Sequence, residues 1–120
     1  MHLGVDVDIM AGSYLDDNVL LNSSDVLKKV IINKKEIETY IESSDSNTYL
    51  KEHLVETMIE LDYMMKNTHM TNNQKKILYM VISGFSYTEI GRMLNKDRSA
   101  IWQAFDRLCR NMLSQNNNGR

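Results

Sequence analysis

The chain has 120 residues, 42% hydrophobic and 25% charged, with a formal net charge of −2 at pH 7, which describes one globular domain or two tightly joined subdomains. No apolar run reaches bilayer-spanning length, no basic segment leads an apolar one at the N-terminus, and the one cysteine, Cys109, excludes an internal disulfide. A cytoplasmic protein without a membrane partner is therefore expected, and the absence of proline points to an all-α fold.

Residues 1–22 are the least structured in pattern. Val5, Val7 and Ile9 alternate with Asp6 and Asp8, as in a short strand, but no second strand is evident to pair with it, so a flexible arm is expected. Asp6, Asp8, Asp16 and Asp17 lack EF-hand spacing and its terminal glutamate, so no metal site is expected.

Residues 23–70 read as a helical hairpin. Ser24 or Asp25 can cap a helix running to about Glu42, in which Leu27, Val30, Ile31, Ile37, Tyr40 and Ile41 recur at helical spacing. The polar run SSDSN, residues 43–47, ends it. Thr48 to Lys66 then places Leu50, Leu54, Met58, Leu61 and Met65 on one stripe, with Tyr63 and Met64 off it. Two arrangements fit: the hairpin packs against the C-terminal half, or part of the stripe forms a homodimer seam. Nine methionines suit adaptable apolar surfaces of either kind.

Residues 71–113 predict three helices. Thr71 caps the first, which runs to about Ser83 with Ile77, Leu78, Val81 and Ile82 inward, and Gly84 breaks it. Ser86 and Glu89 form a capping box for a second helix over Tyr87 to Leu94. Asn95 tolerates the left-handed conformation at its end, and Asp97 caps a third helix with Ile101, Phe105, Leu108 and Met112 on one stripe. Helices joined by so short a turn cross steeply, as in a helix-turn-helix. Gly91, about 1 kcal/mol worse than alanine within a helix, is expected at the closest approach to the third helix. Ile90, Leu94, Ile101, Ala104, Phe105 and Leu108 complete the core of the motif. The tail SQNNNGR, residues 114–120, is polar and expected to be disordered.

Charge divides the chain. Residues 71–120 hold eight Lys and Arg against three acids, a net of +5, whereas residues 1–70 hold six Lys against thirteen acids, a net of −7. The basic half suits phosphate neutralisation and double-stranded DNA; the acidic half suits protein.

Thr71 to Leu113 resembles the C-terminal DNA-binding region of bacterial sigma factors, region four, and is similar to the helix-turn-helix of LuxR-type response regulators. The resemblance rests on TNNQKKILYMVI, the turn SGFS, the phrase YTEIGRMLN and the segment KDRSAIWQAFDRLCRNML. Lys96 stands where such motifs usually place an aliphatic residue, and Gly91 replaces the commoner Ala. The long aromatic and basic segment of housekeeping sigma factors is not found here, so a small phage or bacterial regulator is the expectation.

With the third helix in the major groove, Arg98, Ser99, Trp102, Gln103 and Asp106 face the bases, and Arg92, Lys96, Arg107 and Arg110 face phosphates. Arg98 suits guanine and Gln103 adenine, at about 1–3 kcal/mol of discrimination each. Trp102 has two readings, a thymine-methyl contact or an aromatic closing the core or an interface. The expected function is sequence-specific transcription regulation, with the acidic helices contacting RNA polymerase or a second regulatory subunit. The alternatives are a DNA-binding subunit of another machine, such as a phage small terminase, and a degenerate helix-turn-helix that inhibits transcription by binding protein. No enzyme and no cofactor are expected: His2, His53 and His69 are scattered, and no phosphate loop or nucleophile motif is present.

Overall fold

The computed structural model describes residues 23–43 and 47–117. The expected arm and its aspartates, the centre of SSDSN and residues 118–120 lie outside the described residues. The described secondary structure is all α-helical: α1 Ser24–Ile32, α2 Lys34–Glu42, α3 Thr48–Asn67, α4 Asn72–Ile82, α5 Tyr87–Leu94 and α6 Arg98–Asn117.

The helix expected from Ser24 to Glu42 is two helices. Asn33 adopts φ −104° and ψ 14°, and its side-chain amide donates to the Lys29 carbonyl at 2.7 Å. The ladder bonds around it persist, Asn33 N–H to the Lys29 carbonyl at 3.1 Å and Ile37 N–H to the Asn33 carbonyl at 2.9 Å, so the break lies in the backbone angles of Asn33 itself. The bend divides the two faces. α1 packs against α6 and α4, and α2 packs against α3. The N-terminal half is therefore not a self-contained hairpin: α1 sits on the C-terminal helices.

Asn47 caps α3 by accepting from the Leu50 amide at 3.0 Å. Its inward face carries Leu50, Leu54, Thr57, Met58, Leu61 and Met64. Met64, not Met65, ends the buried stripe. From Leu61 the core lies within reach of either the third or the fourth residue onward, and here the third is used. Buried Thr57 is satisfied by donating to the His53 carbonyl at 2.9 Å.

Reciprocal capping boxes start α4, through Thr71 and Gln74, and α5, through Ser86 and Glu89. Both helices end in Schellman closures. Phe85 N–H donates to the Met80 carbonyl at 3.1 Å around Gly84 at φ 95°, and Lys96 N–H donates to the Gly91 carbonyl at 2.7 Å around Asn95 at φ 57°. Asp97 Oδ1 then accepts from the Ala100 amide at 2.8 Å and starts α6.

α6 packs against α1, α3, α4 and α5, and all six helices contribute to a single apolar core. Its inner face, Ile101, Phe105, Leu108, Cys109 and Met112, is at most 1% exposed. The helix runs past the expected end of order. Residues 114–117 are helical, and two of them tie back to the α3–α4 turn: Gln115 accepts from the His69 amide at 2.8 Å and Asn116 donates to the Thr68 hydroxyl at 2.9 Å.

Gly91 meets the turn, not α6. A Cβ built on it would lie 2.4 Å from the Lys96 carbonyl oxygen, a backbone atom that the Schellman closure holds in place. Gly91→Ala is expected to lower stability by about 1–3 kcal/mol despite alanine's better helix propensity, since the overlap is with backbone. Chemical denaturation of the two proteins measures this; equal or greater stability of the alanine protein would contradict the close approach.

Candidate nucleic-acid interface

The short link from Asn95 to Asp97 presents the N-terminal half of α6 at the surface while its inner face fills the core. The outward row is Ser99, Gln103, Arg107 and Arg110, all exposed and spaced by four, four and three residues. Arg92 and Lys96, also exposed, add positive charge at the end of α5 and in the turn. Ile90 and Gly91 are buried behind this surface, with Leu94 and Ala104 partly buried beside them.

The residues expected at the bases divide into three groups. Gln103 lies in the outward row, with Ser99, whose hydroxyl donates to Asp97 Oδ1 at 3.0 Å. Arg98 is turned away from them: five residues separate it from Gln103, roughly 140° around a helix of 3.6 residues per turn. It lines a cleft of about 400 Å³ with Ile32, Glu36, Phe85 and Tyr87, between the α1–α2 bend and the start of α5. Trp102 and Asp106 occupy the flank that faces α1. Arg107 and Arg110, expected at phosphates, share the row with Gln103.

On the α1 flank, Lys28 organises the charges. Its ammonium pairs with Asp106 Oδ1 and sits 4.9 Å from the centroid of the Trp102 ring. Asp106 Oδ2 accepts from Arg110 Nε at 3.0 Å. The Lys28 and Asp106 side chains are only 13% and 17% exposed, while that of Arg110 is 67% exposed. Asp106 is therefore held by two cations and is not free to accept from a cytosine, which corrects its placement at the bases. Trp102 is 46% exposed, one part of its ring under Lys28 and another bordering a depression lined by Tyr87, Asp97, Arg98 and Ser99.

Lys28 was not visible in the sequence as a site residue. It stands between core Leu27 and solvent-facing Lys29, and nothing in helical periodicity separates a lysine on open solvent from one whose stem lies along a neighbouring helix.

The hydrogen bonds from Lys28 and Arg110 hold the Asp106 carboxyl below the usual carboxylate range. Those from Ser86 lower Glu89, and the Ala100 amide and Ser99 hydroxyl lower Asp97. Burial pushes the Cys109 thiol up to about 12, so it is an uncharged core residue at neutral pH. Among the described residues, no group of His, Cys, Asp and Glu is placed to hold a metal ion, and no helix is long and apolar enough to cross a membrane. Comparison with protein-family models, curated proteins and solved structures gives no match to this chain.

Carboxyls whose folded pKa lies below the unfolded one contribute stability that is complete above the unfolded value and is lost as pH falls through the folded one. The melting temperature is therefore expected to fall as pH drops below about 4. Asp106→Asn should flatten part of that slope. Thermal melts across acid pH check this, and an unchanged slope in Asp106→Asn would show that its ion pairs do not persist in solution.

Proposed function

We propose that the chain is a sequence-specific DNA-binding transcription regulator of phage or bacterial type, similar to sigma region four, in which α5, the turn and α6 act as a helix-turn-helix. The supporting observation is the exposed row Ser99, Gln103, Arg107 and Arg110 on a helix whose opposite side is fully buried. A helix so anchored presents its outer side chains rigidly, as groove reading requires. Gln103, centred in the row, reads a base edge, while Arg92, Lys96, Arg107 and Arg110 set the register through phosphates. No catalytic role is assigned.

The acidic helices supply the protein contact. On α3, Tyr49, Ile59 and Tyr63 are 63%, 64% and 59% exposed and share the face opposite the core with Glu52 and Glu56. Large apolar side chains interleaved with carboxylates suit a basic protein surface, such as one on RNA polymerase or a second regulatory subunit.

Duplex selection from a randomised pool, followed by titration at several salt concentrations, tests the DNA reading. Log affinity should fall linearly with log salt, Arg107→Ala should reduce that slope by about one, and Gln103→Ala should cost about 1–3 kcal/mol at one base position. Affinity independent of salt, or unchanged by both substitutions, would remove α6 from the interface.

A further inference from the structure

We propose that Lys28, on α1 and outside the helix-turn-helix, is a positioning residue for DNA binding: it masks the only carboxylate of α6, Asp106, and holds the Trp102 ring at the edge of the DNA-facing row. This rests on the DNA reading above and adds a role for α1 within it.

Asp106 immediately precedes Arg107 on α6 and lies one turn from Gln103, so its charge stands at the margin of the surface that meets phosphates. An ionised carboxylate there opposes binding twice, by repelling the polyanion and by drawing Arg110 away from it. Arg110 alone cannot resolve this, because its exposed guanidinium is either paired with Asp106 or free for a phosphate. The Lys28 ammonium answers from the other side. It is nearly enclosed, pairs with the second carboxylate oxygen, and lies too close to the α1–α6 contact to serve as a mobile phosphate ligand. Its charge offsets that of Asp106, so that a phosphate drawing Arg110 away does not leave the carboxylate without a cation. The same ammonium over the Trp102 ring fixes which part of the indole is open, through a cation–π contact. Asp25, one turn earlier on α1, is exposed and within electrostatic reach of Arg110, so the orientation of α1 sets the charge balance of the whole flank. The acidic N-terminal half thus carries one inward-turned cation that completes the basic face of the C-terminal half.

A double-mutant cycle on the full chain, with a fluorescein-labelled mixed-sequence duplex as probe, tests the role. Lys28→Met, which keeps the packing of the stem, should weaken binding by about five- to tenfold. In the Asp106→Asn background the same change should cost less than about twofold, and Lys28→Arg should retain affinity. Intrinsic fluorescence of Trp102, the chain's one tryptophan, should shift in Lys28→Met without DNA present. If Lys28→Met costs the same in both backgrounds, Lys28 is itself a phosphate ligand or acts through folding, and the masking role is overturned. An unchanged Trp102 emission would overturn the ring contact. If the wild-type chain binds no duplex at any salt concentration, the DNA reading fails first, and the role of Lys28 in binding fails with it, whatever the fluorescence shows.

Discussion

The contact between Gly91 and the Lys96 carbonyl is the constraint on which the surface of α6 depends. α5 has eight residues and one strongly buried side chain, Ile90, so little of its own packing fixes its direction. Its exit is set instead by the backbone: Lys96 N–H returns to the Gly91 carbonyl, Asn95 takes the left-handed conformation, and the Lys96 carbonyl comes within a distance that any Cβ would prevent. Only then does Asp97 arrive where it can cap α6. The two residues at which the segment differs from the sigma-factor motif it resembles, glycine at 91 and lysine at 96, are thus two ends of one contact. In a Schellman closure the residue past the end often packs on the side chain at the position of Gly91. Here there is no side chain to pack on, so the position past the end carries an exposed lysine without loss of an apolar contact.

α6 is the axis of the molecule in a second sense. Its inner face supplies five buried side chains to a core shared by all six helices, and its outer face carries the cations and amides. Burial on one side makes the other side rigid, which lets short polar groups act as a fixed pattern rather than a mobile fringe. α1 joins the two functions. By lying along α6 it pairs Asp106 and brings the Lys28 ammonium over the Trp102 ring, so the acidic N-terminal half and the basic C-terminal half meet along this helix.

What could be read from the sequence was whatever local rules determine. The boxes at Ser86 and Glu89, the left-handed Asn95, the cap at Asp97, the stop at Gly84 and the stripe from Ile101 to Met112 depend on neighbours within a few residues, and they stand as expected. The bend at Asn33 was hidden because the apolar spacing continues through it from Val30 to Ile37, while one residue's departure from helical φ and ψ leaves no mark on periodicity. Met64 and Met65 are interchangeable to a pattern and distinct only to a packed core. The polar end of α6 carried no apolar signal, yet it is ordered by Thr68 and His69, more than forty residues earlier. The site divides likewise. Gln103 and Arg107 face outward, and Arg98 turns away from them, as the period of α6 alone requires, whereas the partners of Trp102 and Asp106 depend on α1, whose docking no local rule specifies.

The most direct test of the account is residue-resolved: amide chemical shifts of the full chain recorded during titration with duplex DNA selected for binding. Perturbations concentrated at Ser99, Gln103, Arg107 and Arg110, with the outer face of α3 at Tyr49, Ile59 and Tyr63 unaffected, are what the account predicts. Perturbations centred on α3, or none on α6 at saturation, would contradict it.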